Sequence, residues 1–287
     1  MTPVSLTHKR FVFTLIVLGG FVFPTCVTAP SSPKAGANPS EELIKIETRP
    51  DVTQKVLVIR PPHPVATVVL FPSGRGNLEL GSGAGTPTIG RADYFLARTR
   101  EEFARHGFMV ALVDVPSDRQ AGGIDSLFRI SNAHAEDIRG VVSYLRKRAE
   151  IPVWLIGLGE GTFSAVNGAI SLDGQIEGVV LASSLTRTPT SWKMYGTHPN
   201  GILNMDLDKI TVPVMVVGSQ NDTCAITSPA DVAKIKGELA HSPVVEIRYF
   251  SGGKMARLDP CEPRSPHGFY RIENEVVSTI ADFIHAH

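Results

Sequence analysis

Two rhythms alternate along this chain. Short runs of apolar, often β-branched residues fall at 55–60 (KVLVIR), 67–71 (TVVLF), 109–113 (MVALV), 153–156 (VWLI), 178–182 (GVVLA), 214–217 (VMVV) and 245–250 (VEIRYF). Each is closed by turn or polar residues, and their length and composition predict strands. Between them, apolar residues recur at helical spacing: Phe95, Leu96, Phe103 and Ala104 within 95–106, Ile138, Val141, Val142 and Leu145 within 133–148, and a similar stripe over 273–284. These segments predict helices. Near-continuous apolar strands interleaved with helices predict an α/β fold, a mostly parallel central sheet with helices on both faces in a three-layer sandwich. In such a sheet the crossovers are right-handed and ligand sites fall at the carboxyl ends of the strands. No internal repeat is visible.

The first residues follow a different pattern. His8, Lys9 and Arg10 precede the apolar stretch FVFTLIVLGGFVF at 11–23, which has signal-peptide length and falls short of the ~20 residues of a spanning helix. We expect a signal peptide over 1–29, a flexible linker over 30–49 and a folded domain over 50–287. A cut after Ala29 would leave Pro30 behind the scissile bond, and AGA at 35–37 lies far from the apolar stretch, so the cleavage position stays open. Cys26, in FPTC, fits a lipoprotein attachment box poorly because Thr25 stands where a smaller residue is usual. The favoured expectation is export to the periplasm or medium without lipid anchoring and without a stable membrane span in the mature chain. Residues 30–41, rich in Pro, Ser, Gly and Ala, set the linker expectation.

Composition narrows the partners. With 287 residues, 43% of them hydrophobic, the chain can bury one substantial core. Its 28 Lys and Arg balance 28 Asp and Glu, so no field would recruit nucleic acid, and a small-molecule substrate or ligand is the expected partner. The oligomeric state is not encoded in any pattern. Beyond Cys26, only Cys224 and Cys261 remain; an even pair in an exported chain predicts one disulfide, with Cα atoms about 4.4 to 6.8 Å apart.

The chemistry gathers at three places. VWLIGLGEG at 153–161 ends a strand in the spacing of a nucleophile elbow, GxSxG, but Gly159 stands at the serine position. Asp222 closes VPVMVVGSQND, and His267 lies in the loop SPHGF before the last helical segment. Taken singly, Asp222 reads equally as a turn or helix-capping residue and His267 as an exposed loop histidine. Taken together, their order and settings are those of an acid and a base placed after late strands. Gly157, Gly159 and Gly161 also invite a dinucleotide reading, which fails because Thr162 occupies the third glycine position and no acidic residue ends GVVLASS; no cofactor is expected. His134 near Glu136 and Asp137 is a lone cluster, and no metal is expected either.

This arrangement resembles the α/β-hydrolase family from about residue 50 to the end. The resemblance implies that Gly159 occupies the nucleophile position, Asp222 the acid and His267 the general base. It further implies oxyanion donors from the N–H of Glu160 and from the loop PSGRG at 72–76, around Ser73 or Gly74, although that loop departs from the HGGG type. Arg75 in the same loop, with Asp118 and Arg119 after the strand at 109–113, forms a possible substrate-binding set, the alternative being solvated loop charges.

Glycine carries nothing that can attack a carbonyl. Three accounts follow: the Asp222–His267 dyad activates water or removes a substrate proton beside surviving oxyanion donors; the site is an inert binding pocket; or another hydroxyl, from Ser73, Ser164, Ser183 or Ser184, replaces the missing one. Glu160 is not expected to substitute, because one position after the elbow tip its side chain projects differently; a surface or salt-bridged role is expected for it. The first implies hydrolysis of an ester, thioester or amide, with a nucleophile-free lyase or proton-abstraction enzyme between it and the binding protein.

Overall fold

The computed structural model describes residues 1–2, 40–256 and 258–287 of the chain. The signal-peptide expectation beyond Thr2, Cys26 and residues 30–39 of the expected linker lie outside the described residues. Ten strands are described: β1 (Ser40–Arg49), β2 (Val52–Arg60), β3 (Ala66–Phe71), β4 (Leu80–Gly83), β5 (Thr86–Ile89), β6 (Phe108–Pro116), β7 (Val153–Leu158), β8 (Gly178–Ala182), β9 (Val214–Ser219) and β10 (Val245–Phe250). The helices are α1 (Phe95–Arg98), α2 (Arg100–Arg105), α3 (Ser126–Arg129), α4 (Asn132–Arg148), α5 (Gly161–Ser171), α6 (Val232–Glu238) and α7 (Glu273–Ala286).

Eight strands form the central sheet in the order β1-β2-β6-β3-β7-β8-β9-β10, and β4 and β5 form a separate hairpin. The pairs from β6 through β10 are parallel, while β1 and β2 add an antiparallel edge. The α/β sandwich expected from the two rhythms is therefore the fold observed. Every residue of β3, β6, β7, β8 and β9 is buried, because a strand covered by helices on both faces has no side free for water.

The two apolar faces of the sheet become two cores. One packs Val69, Leu155 and Leu181 against Ile138, Val141, Val142 and Leu145 of α4 and Phe163 and Val166 of α5. The other packs Leu70, Ile156 and Val180 against Phe103 of α2 and Val276, Ile280 and Ile284 of α7. Each such side chain contributes about 1.5–3 kcal/mol on burial, which fixes α4 and α5 on one face and α2 and α7 on the other. Helix α4 starts where Ser131 Oγ accepts the His134 N–H at 3.3 Å, and it ends in Arg146, Lys147 and Arg148, cations that suit the negative end of its dipole.

Three details differ from the sequence reading. Residues 40–49, assigned to the flexible linker, form β1, with Leu43 paired to Leu57 and Ile46 to Gln54; SEELIKIETR places its apolar residues among charges that suit a solvent-facing edge strand. The helix expected over 95–106 breaks at Thr99, which leaves the helical region with φ −99° and ψ 1°. Helix α6 was not anticipated. Among the described residues, no helix is long and apolar enough to cross a membrane.

Candidate functional site

The site forms where β3, β7, β9 and the loop before α7 end on the same edge of the sheet. Strand β7 turns into α5 through Gly159, whose φ is +56°, a conformation that glycine adopts without the cost other residues carry. The turn is tight because α5 starts at once against β3: a Cβ on Gly161 would overlap the carbonyl oxygen of Phe71. The Gly159 N–H donates to Ala182 O at 3.1 Å, and its carbonyl accepts from Thr162 Oγ1 at 2.6 Å. The tip of this turn carries no side chain.

Asp222 and His267 meet beside it. His267 Nδ1 lies 3.2 Å from Asp222 Oδ2, and both side chains are almost wholly buried. Asp222 is held on both oxygens: Oδ1 accepts the Cys224 N–H at 2.8 Å, and Oδ2 accepts from Thr227 Oγ1 at 2.8 Å. Thr227 Oγ1 also lies 3.1 Å from His267 Nδ1, so it sits in the notch between the two side chains. The His267 loop is fixed in turn by Ser265, whose Oγ accepts the His267 N–H and donates to Pro260 O, by Ser183 Oγ donating to His267 O at 2.8 Å, and by Arg98 donating to Pro263 O and Gly268 O. Cys224 and Cys261 form a disulfide with Cα atoms 4.8 Å apart, inside the range expected, and it ties the Asp222 loop to the segment that leads to His267.

The missing elbow side chain leaves a defined space. A Cβ built on Gly159 would lie 3.3 Å from His267 Nε2, 3.1 Å from Ser73 Cβ, and in overlap with Ser73 Oγ. The Ser73 hydroxyl thus stands where the nucleophile's side chain would start.

The groups expected as oxyanion donors are arranged in a way the sequence did not suggest. Glu160, expected to contribute its N–H and to carry its side chain at the surface or in a salt bridge, instead turns its carboxylate onto the loop after β3: Oε2 accepts from Ser73 Oγ at 2.6 Å and from the Gly74 N–H at 2.8 Å. The donors expected to serve a reaction oxyanion are therefore engaged by a carboxylate of the chain itself. Burial opposes the charge on Glu160, but the bonds from Ser73, Gly74 and its own N–H, with the nearby Arg129 charge, outweigh it and hold the carboxyl below its usual range. Arg129, wholly buried, supports the loop from beneath by donating to Pro72 O and Gly74 O at 3.0 Å and to Ser164 Oγ at 2.7 Å. Burial lowers its pKa to about 10.

Two cavities open here and share Gly74 and Glu160. The smaller, about 170 Å³, is lined by Ser73, His267, Tyr94 and Leu158. The larger, about 370 Å³, is lined by Arg75, Ile124, Leu127, Trp192, Lys193 and Met194. Arg75 lines the larger cavity, but Asp118 and Arg119 line neither: Asp118 pairs with Arg49 at 3.1 Å, and the Arg119 guanidinium lies 4.5 Å from the centre of the Phe128 ring. Of the other candidate hydroxyls, Ser164 is bonded to Arg129 and His134, Ser183 to the His267 carbonyl, and Ser184 is buried outside both cavities. His134 is buried against Ser164 at 2.9 Å, away from the site. Asp222, Cys224 and His267 place ligand-type atoms within 4.8 Å of one another, but the Cys224 sulfur is committed to Cys261.

Thr227, Arg129, Trp192 and Lys193 were not anticipated. Trp192 and Lys193 lie in the long connection between β8 and β9, where no periodicity singles them out, and Arg129 closes a four-residue helix.

The sequence matches no family model and no curated protein. Solved structures are similar over most of the chain. An esterase from Pyrococcus furiosus aligns with a TM-score of 0.59 at 15% identity, covering 88% of this chain and 98% of its own. Dienelactone hydrolase from Anabaena variabilis aligns at 0.57 and 13%, covering 87% and 99%, and Est1E from Butyrivibrio proteoclasticus at 0.57 and 14%, covering 85% and 98%. With the strand order and the elbow already described, these likenesses establish the architecture: the chain has the α/β-hydrolase fold.

Proposed function

We propose that this protein is an exported hydrolase in which His267, oriented by Asp222, activates water without an elbow serine. The observation that carries the reading is the dyad itself. His267 is bonded through Nδ1 to Asp222, and Nε2 lies 3.3 Å from the vacant Cβ position of Gly159, on the wall of the smaller cavity. A histidine held in this way presents one ring nitrogen as a base toward the cavity and keeps the imidazolium paired once it has taken a proton. The fold and the esterase-type neighbours favour an ester, thioester or amide as the bond broken. The leader-like first residues and the Cys224–Cys261 pair favour an oxidising destination.

A second reading, an inert binding protein on the same fold, is favoured by one observation. The Glu160 carboxylate holds the Gly74 N–H and the Ser73 hydroxyl, and an anion there opposes any oxyanion that would form beside it. The two readings part in a p-nitrophenyl ester series of short and medium chain length. Turnover abolished by His267→Ala supports the hydrolase, whereas equal, near-background rates in the wild type and the variant support the binding protein.

A further inference from the structure

We propose that Glu160 is the nucleophile of this site: its carboxylate attacks a saturated carbon bearing a leaving group, and the Asp222–His267 dyad hydrolyses the ester so formed on Glu160. The inference rests on reading His267 as the water-activating base, and it names the bond that this base breaks.

The placement of Glu160 is hard to account for as scaffolding. It follows the elbow tip and lines both cavities. Among the described residues no arginine or lysine pairs with it through a hydrogen bond; the Arg129 terminal nitrogens donate to Ser164, Pro72 and Gly74, and its Nε has no partner. Its charge is instead received by Ser73 Oγ, the Gly74 N–H and its own N–H, and both bonds from the loop fall on Oε2. Oε1 is thus not held by the loop. One oxygen of the carboxylate is fixed by the donors of an oxyanion hole, and the group as a whole borders the space where a substrate would lie.

The chemistry available to an ionised carboxylate follows from what it would form. Attack on an acyl carbon gives a mixed anhydride, whereas attack on a saturated carbon gives an ordinary ester. In the first step Glu160 Oε1 bonds to the alkyl carbon, and the bond to the leaving group breaks with its electron pair going to that group. Arg75 and Lys193, neither of which has a side-chain partner among the described residues, line the larger cavity beside Glu160 and supply positive charge for a departing anion. Ile124, Trp192 and Met194 offer apolar surface to the alkyl or benzylic body.

In the second step water gives a proton to His267 Nε2 and its oxygen attacks Glu160 Cδ. The negative charge that develops falls on Oε2, which already accepts from Gly74 and Ser73, so the donors need no rearrangement. The alkyl–oxygen unit then leaves with the proton from His267 as an alcohol, and the carboxylic acid left on Glu160 gives up the second proton of the water, to solvent beside the departed anion or to the alkoxide of an opened cyclic ether, which restores the carboxylate. The sum is hydrolysis of an alkyl compound to an alcohol and an acid, or of a strained cyclic ether to a diol. On this account the carboxylate in the oxyanion hole is the reactant the hole was built around.

The test uses the full chain carrying His267→Ala, in which the ester forms but is not hydrolysed, incubated in turn with styrene oxide, 4-nitrobenzyl chloride and 1-bromobutane. Peptide mass spectrometry should find one equivalent of adduct on the peptide containing Glu160 with at least one probe, and none when Glu160→Gln is added. The wild type turning over that probe once in ¹⁸O-labelled water should gain the label on Glu160, a readout that needs no variant to fold. A Glu160 peptide left unmodified by all three probes overturns the proposal. A p-nitrophenyl acetate assay of the same preparations separates the failures. His267-dependent hydrolysis without an adduct removes Glu160 and leaves the base standing, and its absence as well removes both. A rise of tenfold or more in ester hydrolysis in Glu160→Gln would mark the carboxylate as a plug of the oxyanion hole and overturn its role as nucleophile.

Discussion

Restoring a serine at position 159 should damage the fold unless Ser73 is shortened in the same chain. Two costs add. The backbone at Gly159, with φ +56°, is left-handed, and a residue with a Cβ loses about 1–2 kcal/mol there. The new Cβ would also overlap Ser73 Oγ, driving that hydroxyl off the Glu160 carboxylate it now meets at 2.6 Å; a hydrogen bond to a charged group contributes about 1.5–3 kcal/mol. Gly159→Ser alone should therefore cost about 2.5–5 kcal/mol of folding free energy. In a Ser73→Ala background the hydroxyl is already gone and only the backbone cost, about 1–2 kcal/mol, remains. Urea denaturation of the wild type, both single variants and the double variant closes the cycle and should give a coupling of about 1.5–3 kcal/mol. Coupling below about 0.5 kcal/mol would show that Ser73 does not occupy the nucleophile's space, and would refute the packing argument on which the site description rests.

Other consequences can be checked separately. The disulfide closes a sequence separation of 37 residues, so the Cys224→Ser and Cys261→Ser double variant should lose about 4 kcal/mol in urea denaturation, and because it ties the Asp222 loop to the approach to His267, any ester turnover should fall with it. His134 is fully buried, and burial first, then the charges of Arg129 and Arg49, lowers its pKa from 6.5 to about 3. The unfolded chain takes up this proton below pH 6.5 while the native state does not, so stability should be unaffected by this group above pH 6.5 and fall by up to about 1.4 kcal/mol per unit as pH drops toward 3. His134→Gln should recover about 2 kcal/mol of the wild-type loss between pH 7 and pH 5; equal losses in both proteins would remove His134 as the cause.

The fold was legible because each buried strand is a short apolar run and each covering helix has a clear stripe; Ile138, Val141, Val142 and Leu145 of α4 all face the core. The elbow was legible as glycines closing a strand, and Asp222 and His267 by where they stand relative to β9 and α7. β1 was passed over because Lys45, Glu47 and Arg49, which suit an edge strand, read as a polar tether. The direction of the Glu160 side chain was beyond the sequence. It depends on Ser73 and Gly74, 87 and 86 residues away, and on α5 starting so close to the end of β3 that the carboxylate reaches their loop. The same holds for Trp192 and Lys193, which enter the cavity wall through a connection with no regular period.

The central claim is that His267 is a working base at a site without an elbow serine, and chemical rescue tests it most directly. The His267→Ala variant is assayed with p-nitrophenyl butyrate with and without added imidazole, beside the wild type. The account predicts wild-type turnover, its loss in the variant, and a return of rate that saturates with imidazole as the small base fills the space left by the ring. Wild-type turnover that survives His267→Ala, or a variant that imidazole does not restore above the buffer reaction, would contradict it.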